Sequence, residues 1–356
     1  MTKLFLSVVL VGCAARAQGW GHREAMLPWV QGRFADAEAN FSRMRPIAES
    51  MRDVFWVWEA DFETERGRYG VAALLLQHAK AARESGSELP ERRLGRLYVT
   101  VGRYGEAEKL ALNGSKWDGT DVKKLKINAP MSLVTLGEVF LARGQYTGSL
   151  PIFEDACARA KKDWSLQSLE WVRARNDVAI ANLRMGQTAS ARASIEQAFA
   201  TASREWGPDS LPAIDALDIL GLVLVAESKF QEADDALSRT RGLRERIYGV
   251  EHPKVADSYL HAAILAAAQH DNDAAIRFLN RSLQIQATAS VGRPNGRWAL
   301  ALISAADIFT TAGHLDDARR CYLQGLPELE HDLGSDAPIV QRANKQFQSL
   351  PGNGGS

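Results

Sequence analysis

A short turn signature recurs eight times along this chain at a nearly constant spacing. Typical copies are Gly67-Arg68-Tyr69 and Gly144-Gln145-Tyr146. Successive signatures begin 35, 35, 42, 42, 42, 42 and 43 positions apart. A fixed period in this range is typical of a stacked repeat array, so the chain is predicted to fold as a solenoid whose units pack on their neighbours. The first residues of the signatures are Gly32, Gly67, Gly102, Gly144, Gly186, Ser228, His270 and Gly313.

Small residues flank each signature at two fixed offsets. The residue five positions after its start is always Ala or Ser, and the residue seven positions before it is always Ala or Gly. Two helices joined by a tight turn approach closely only where the facing residues are small. The pattern therefore predicts eight helical hairpins whose helices meet at these small-residue positions. They are Ala25 with Ala37, Ala60 with Ala72, Gly95 with Ala107, Gly137 with Ser149, Ala179 with Ala191, Gly221 with Ala233, Ala263 with Ala275, and Ala306 with Ala318.

Glycines mark the loops that follow the later hairpins and keep the same period, at Gly207, Gly249, Gly292 and Gly334. Glycine suits the left-handed residue that ends a helix. Each repeat is therefore predicted to consist of a helix, a tight turn, a second helix and a loop.

These features, with closing loops such as residues 248–256, resemble the kinesin-light-chain type of tetratricopeptide repeat over residues 20–334. The resemblance implies an all-α, right-handed α-solenoid of about eight stacked helical hairpins. It also implies a non-catalytic scaffold in which the first helix of each hairpin lines a concave groove that binds a peptide or protein partner.

Both ends of the array, and its third repeat, depart from the regular pattern. Residues 113–115 read Asn-Gly-Ser and are predicted either to kink the second helix of the third hairpin or to end it early. Residues 335–350 are predicted to form a capping helix, because a solenoid must cover its last apolar face. Residues 351–356 are predicted to be a flexible tail.

The first residues have the composition of a bacterial export signal. Lys3 precedes an apolar run over residues 4–12 that is too short for a transmembrane span. Ala15-Arg16-Ala17 would allow cleavage before Gln18, which makes residues 1–17 a signal peptide. Alternatively, residues 1–12 are a lipoprotein signal and Cys13 carries a lipid anchor. The chain is therefore predicted to be exported, either periplasmic or secreted, with a membrane-anchored lipoprotein as the alternative.

The charge balance argues against nucleic-acid binding, and the positions of the cysteines argue against a disulfide. Lys plus Arg and Asp plus Glu both number 43, so nucleic acid is not an expected partner. Cys157 and Cys321 fall in the fourth and eighth repeats, too far apart in a stack for a disulfide.

The resemblance implies which residues line the concave face, because the first helix of each hairpin lines that face in tetratricopeptide arrays. This face is predicted to pass from basic to acidic along the array. Its basic half is predicted to bind a carboxylate, because a guanidinium group pairs with a carboxylate bidentately. The residues expected to make this contact are chiefly Arg92, Arg96, Arg173 and Asn176. Alternatively, these charges have partners in neighbouring helices. The predicted groove residues are Arg92, Arg93, Arg96, Glu138, Arg173, Asn176, Arg184, Asp215, Asp218, Asp257 and His261.

Motifs of catalysis are absent from the sequence, including those of zinc, nucleophilic-serine and phosphate-binding sites. No catalytic residue, cofactor or metal site is predicted. The enzyme alternative depends on Asp257 and His261, which lie one helical turn apart. A third alternative is a lipid-anchored assembly component of a bacterial envelope complex.

Overall fold

The computed structural model describes residues 27–47, 53–82, 89–115, 117, 125, 127, 129–164, 169–289 and 295–351. These residues form helices joined by short turns, with no strand among them. The helices are α1 (Phe34–Met44), a 3-10 turn (Arg45–Ile47), α2 (Asp53–Glu65), α3 (Tyr69–Ala82), α4 (Leu89–Thr100), α5 (Tyr104–Leu112), α6 (Pro130–Ala142), α7 (Tyr146–Trp164), α8 (Leu169–Arg184), α9 (Thr188–Trp206), α10 (Leu211–Ala226), α11 (Phe230–Tyr248), α12 (Pro253–Ala268), α13 (Asn272–Ala289), α14 (Gly296–Thr311), α15 (Leu315–Leu333) and α16 (Pro338–Gln348).

The helices pair in sequence order and confirm the predicted all-α solenoid. Residues 27–30 are helical and form hairpin 1 with α1. Hairpins 2 to 8 follow as α2 with α3, α4 with α5, and so on to α14 with α15. The first helices of hairpins 2 to 8 contact one another in turn, which makes them the inner layer of the array. Helix α16 packs against α15 at the end of the stack.

Each turn signature ends the first helix of its hairpin in the same way. Its first residue has a positive φ in all eight copies, including Ser228 (φ 59°) and His270 (φ 63°). The next amide then donates to the carbonyl five residues earlier, as Arg103 does to Tyr98 at 2.8 Å. This is the Schellman arrangement, which favours glycine because the left-handed conformation crowds a side chain. The recurring glycine is therefore the mark of one repeated helix end.

The small-residue positions lie where the two helices of a hairpin meet. All fifteen that fall within the described residues are buried. A Cβ added at Gly137 would lie 2.5 Å from the Phe153 ring, and one added at Gly221 would lie 2.5 Å from Leu237. Each of these two glycines thus makes room for a large residue of the second helix in its own hairpin, which explains why the offset is constant.

The irregular third repeat behaves as its sequence predicts. Helix α5 ends at Leu112, and Asn113 takes the left-handed conformation (φ 44°).

Cys157 and Cys321 are buried free thiols. Burial raises their pKa to about 12 and about 11, respectively. In the described residues, no helix is both long and apolar enough to cross a membrane. The predicted signal segment and Cys13 lie outside the described residues.

The array turns back on itself, so that its first half contacts its second half. We call this contact the closure interface: the turns of hairpins 1 to 4 meet the loops that follow hairpins 5 to 8. Gln31 donates to the Trp206 carbonyl at 3.3 Å. At the other end, the Ile339 amide donates to the Arg143 carbonyl at 3.1 Å. Between them, Gly102 lies directly against the backbone of residues 296 and 297. The closure interface brings the two halves of the array together around a central space.

Candidate functional site

A cavity of about 360 Å³ lies inside the superhelix, between the first helices and the closure interface. Its lining contains six acidic and six basic residues. This composition suits a polar or charged ligand rather than an apolar one. The charged residues are Asp61, Glu65, Arg93, Arg96, Glu138, Arg173, Asp177, Asp215, Arg244, Lys254, Asp257 and Arg297; Trp29, Thr64, Tyr69, Leu97, Thr100, Asn176, Ile180, Ile219 and His252 complete the lining.

Seven of the eleven predicted groove residues line this cavity. The other four lie elsewhere: Arg92 is half-buried outside the lining, Arg184 is exposed at the end of α8, Asp218 is buried beneath the lining, and His261 contacts Asp218. The lining residues among those predicted are Arg93, Arg96, Glu138, Arg173, Asn176, Asp215 and Asp257.

Other lining residues were missed, and the repeat register could have found two of them. Asp61 occupies the same position in its repeat as Arg96 and Glu138, and Asp177 the same position as Arg93. Arg244 lies on a second helix, and His252 caps a helix in a loop. No signal in a single repeat indicates that a second helix or a loop reaches the cavity.

Three guanidinium groups converge on one buried carboxylate at one wall of the cavity. Arg93 contacts Glu170 at 2.9 Å, Arg96 contacts it at 3.1 Å, and Arg173 lies 3.5 Å from it. Arg93 also lies 3.2 Å from Asp61. Burial alone would raise the pKa of Glu170, but the three guanidinium groups hold it at about 2. The alternative that these arginines have partners in other helices is thus realised for Arg93 and Arg96, whereas the partner of Arg173 lies on its own helix.

Two carboxylates share Arg244, which reaches the cavity wall from α11. Its guanidinium contacts Asp218 and Asp215, both at 2.8 Å, and donates to Ser258 at 2.9 Å. Asp218 also lies 2.9 Å from Nδ1 of His261. Burial would raise the pKa of Asp218, but Arg244 and then His261 hold it well below its usual range. This network ties the consecutive helices α10, α11 and α12 together around an ionised carboxylate.

A second network crosses the closure interface. Lys254 contacts Glu65 at 2.7 Å and Asp215 at 3.1 Å, and the Tyr248 hydroxyl donates to Glu65 at 2.5 Å. Burial opposes ionisation of Glu65, but Lys254 holds its pKa at about 2. Beside it, burial lowers the pKa of His252 to about 4, and its ring stacks on Tyr248 at 4.5 Å. Hairpins 2, 6 and 7 are therefore joined by charges that face the cavity.

The pair on which the enzyme alternative depends does not form. Asp257 pairs with Arg297, and His261 contacts Asp218 instead. Residues one turn apart on a helix can meet, but each here has a closer partner on a neighbouring element. The structure therefore does not support Asp257 and His261 as a catalytic pair.

Glu138 and Asp177 differ from the other acidic residues of the lining. Among the described residues, neither has a cationic side chain within 4.0 Å, and Oε2 of Glu138 has no hydrogen-bond partner. Burial raises the pKa of both carboxyl groups, and Glu138 raises that of Asp177 further. The neighbouring Asn176 is 7% exposed, and its buried Oδ1 also lacks a partner. Three adjacent side chains thus offer acceptor oxygens for which the described protein supplies no donor.

The predicted change from basic to acidic along the array is wrong. Acidic Asp61, Glu65, Glu138 and Asp177 belong to the first half of the lining, and the second half contains Arg244, Lys254 and Arg297. The prediction was wrong because the residues assigned to the groove covered only part of the inward face of each first helix. Both halves of the cavity carry both signs of charge.

Residues 212–288 match the family model of the tetratricopeptide repeat. This segment covers nearly all of hairpins 6 and 7, and the same turn and the same buried small residues recur in the other hairpins. The chain contains tetratricopeptide repeats. None of the curated proteins compared with this sequence matches it.

Solved tetratricopeptide-like structures share this architecture. The APC/C hetero-tetramer Cut9–Hcn1 superposes with a TM-score of 0.57 at 15% identity, covering 91% of this chain and 54% of that one. A Rap protein complexed with Competence and Sporulation Factor has a TM-score of 0.54 at 12% identity, covering 92% and 96%. TPR-like repeats of a kinesin light chain from Podosopora anserina have a TM-score of 0.40 at 18% identity, covering 56% and 94%. At these identities the similarity concerns the fold alone, and the two superpositions with TM-scores above 0.5 agree with the predicted solenoid.

Proposed function

We propose that this tetratricopeptide array is a non-catalytic scaffold that holds a short, charged peptide inside its central cavity. The observation that carries this proposal is the ion-lined central cavity of about 360 Å³, formed where the two halves of the array meet. The cavity has the size of a ligand site, and its charged walls are fixed by ion pairs between helices. The Rap protein similar in fold was solved with a bound factor, so an array of this shape can hold one.

Charge compensation indicates how such a peptide is oriented. Arg93, Arg96 and Arg173 face two carboxylates at ion-pair distance, Glu170 and Asp61, which leaves one positive charge in excess. Burial and the neighbouring Arg96 lower the pKa of Arg173, as expected for a guanidinium that is incompletely neutralised. A carboxylate of the ligand, such as its C-terminus, would balance this cluster. The proposal thus keeps the predicted carboxylate contact of Arg96 and Arg173, replaces Arg92, which lies outside the lining, with Arg93, and no longer includes Asn176.

The test is to block the cavity without touching an ion pair. Ile180 lines the cavity, so Ile180→Trp places an indole inside it. We expect this variant to retain at least about ten-fold less of an equimolar library of synthetic pentapeptides, measured by affinity selection and mass spectrometry, because the ligand and the indole compete for the same volume.

The matched control adds the same indole to the outer surface. Leu323 on α15 is 58% exposed, and Leu323→Trp should retain the library as the unmodified protein does. Far-UV circular dichroism checks that both variants fold. Equal retention by the two variants would place the binding surface outside the cavity and overturn the proposal.

We further propose that the protein is exported. The support is the composition of residues 1–17, which is that of a signal peptide with a cleavage site before Gln18. Intact-mass analysis of the protein from its native host should give a mature chain that begins at Gln18. An acylated Cys13 would instead support the lipid-anchored assembly component, and an uncleaved Met1 would contradict export.

A further inference from the structure

We propose that Glu138, Asp177 and Asn176 form a subsite for an organic cation, a guanidinium or ammonium group of the ligand. This inference rests on the proposed binding of a ligand in the central cavity and specifies a second chemical group of that ligand. All three side chains line the same cavity wall, on the adjacent helices α6 and α8.

The first argument is charge balance. Every other acidic residue of the lining has a cationic partner: Asp61 with Arg93, Glu65 and Asp215 with Lys254, and Asp257 with Arg297. Glu138 and Asp177 have none within 4.0 Å among the described residues. Buried charges are normally paired. Two buried carboxyl groups that face a cavity without a cationic partner therefore indicate that a ligand supplies the cation.

The second argument is independent of charge and concerns Asn176. An amide oxygen that is buried and lacks a donor costs free energy, and native proteins rarely leave one unsatisfied. Asn176 is more than nine-tenths buried, lines the cavity, and has no donor for Oδ1. Glu138 Oε2 is in the same condition. A group that carries several N–H donors and a positive charge would satisfy all three residues at once.

The nearby guanidinium groups do not fill this role. Arg96 and Arg173 act on both carboxyl groups through space, but their closest contacts are with Glu170. Burial, with repulsion from Glu138 at Asp177 and from Glu170 at Glu138, outweighs this attraction and leaves both carboxyl groups with a raised pKa. A bound cation would therefore replace repulsion with attraction in a site of low polarity, where charge interactions are strong.

The test uses a matched pair of small probes. n-Butylguanidinium and its neutral isostere n-butylurea are titrated into the full-length protein by isothermal calorimetry, with n-butylammonium as a third probe. We expect at least about ten-fold tighter binding of one of the two cations than of the urea. Glu138→Gln with Asp177→Asn should abolish this preference. Asp273→Asn, which removes an exposed carboxylate on α13, should leave it unchanged.

A second measurement distinguishes a ligand site from a structural pair. If the two carboxylates await an external cation, neutralising Asp177 relieves repulsion in the free protein, and Asp177→Asn should raise the melting temperature by about 2 °C. A lower melting temperature together with lost probe binding would indicate a structural role and overturn the inference. So would equal binding of the cations and the urea to the unmodified protein. If the pentapeptide library is still retained in that case, the subsite alone is wrong and the proposed function stands.

Discussion

Replacing Arg244 with Met is expected to destabilise the protein by about 3–5 kcal/mol, because it leaves a buried carboxylate without its principal partner. Asp218 is 3% exposed and Arg244 is 4% exposed, so water cannot replace the lost contact. Met fills much of the same volume, which limits the effect of the cavity left behind. Urea denaturation followed by circular dichroism measures the free energy of unfolding.

The loss caused by Arg244→Met should also depend on pH. In the unmodified protein the pKa of Asp218 is depressed, so its stabilisation is present above the ordinary Asp pKa and is lost as the pH falls through the folded-state value. Without Arg244, burial raises that pKa, and the variant loses stability as the pH rises. The difference between the two proteins should therefore narrow as the pH falls from neutral.

Arg239 supplies the matched control on the same helix. It contacts Asp209 at 2.7 Å, but both side chains are about half exposed. Such pairs contribute only about 0–1 kcal/mol. Arg239→Met should therefore fall in that range at every pH. If Arg244→Met costs no more than Arg239→Met, the buried network does not stabilise the closed array as described.

Replacing Gly102 with Ala is expected to open the superhelix. A Cβ at this position would lie 2.3 Å from the backbone nitrogen of Arg297 and 2.7 Å from that of Gly296, and backbone cannot move aside as a side-chain tip can. The third hairpin and the start of the eighth must therefore separate. Small-angle X-ray scattering should detect a larger radius of gyration, and retention of the pentapeptide library should fall because the two halves of the array no longer meet around the cavity.

Gly186→Ala separates this effect from simple backbone strain. Gly186 occupies the equivalent turn of hairpin 5 with φ +73°, close to the +80° of Gly102, but a Cβ there would meet nothing within 4 Å. Alanine in the left-handed conformation costs about 1–2 kcal/mol in either turn. Gly186→Ala should therefore lose stability without a change in the scattering profile. Identical scattering from the two variants would mean that the contact of Gly102 does not hold the array closed.

The candidate site was predictable in part. The repeat pattern indicates which first-helix residues line the cavity, but not which residues of other elements pair with them. Arg96, Glu138 and Arg173 were found because the first helix of each hairpin faces inward, and Asp61 and Asp177 could have been found by repeat equivalence. The ion-pair partners of these residues could not be found from the repeat pattern. Glu170 of hairpin 5 compensates Arg93 and Arg96 of hairpin 3, from which it is separated by 77 and 74 positions in sequence. Arg244 reaches the cavity from a second helix, which the repeat pattern assigns to the outer layer.

The hairpins themselves were determined by the sequence. A left-handed residue at each turn and small residues at two offsets act over at most about twenty positions, so each hairpin is specified by contacts close in the chain. The closure interface was decided by the tertiary structure. Gln31 meets Trp206 across 175 positions, and Arg297 meets Thr100 across 197. Such contacts depend on the small rotation between neighbouring hairpins summed over several repeats, and no single repeat encodes that sum.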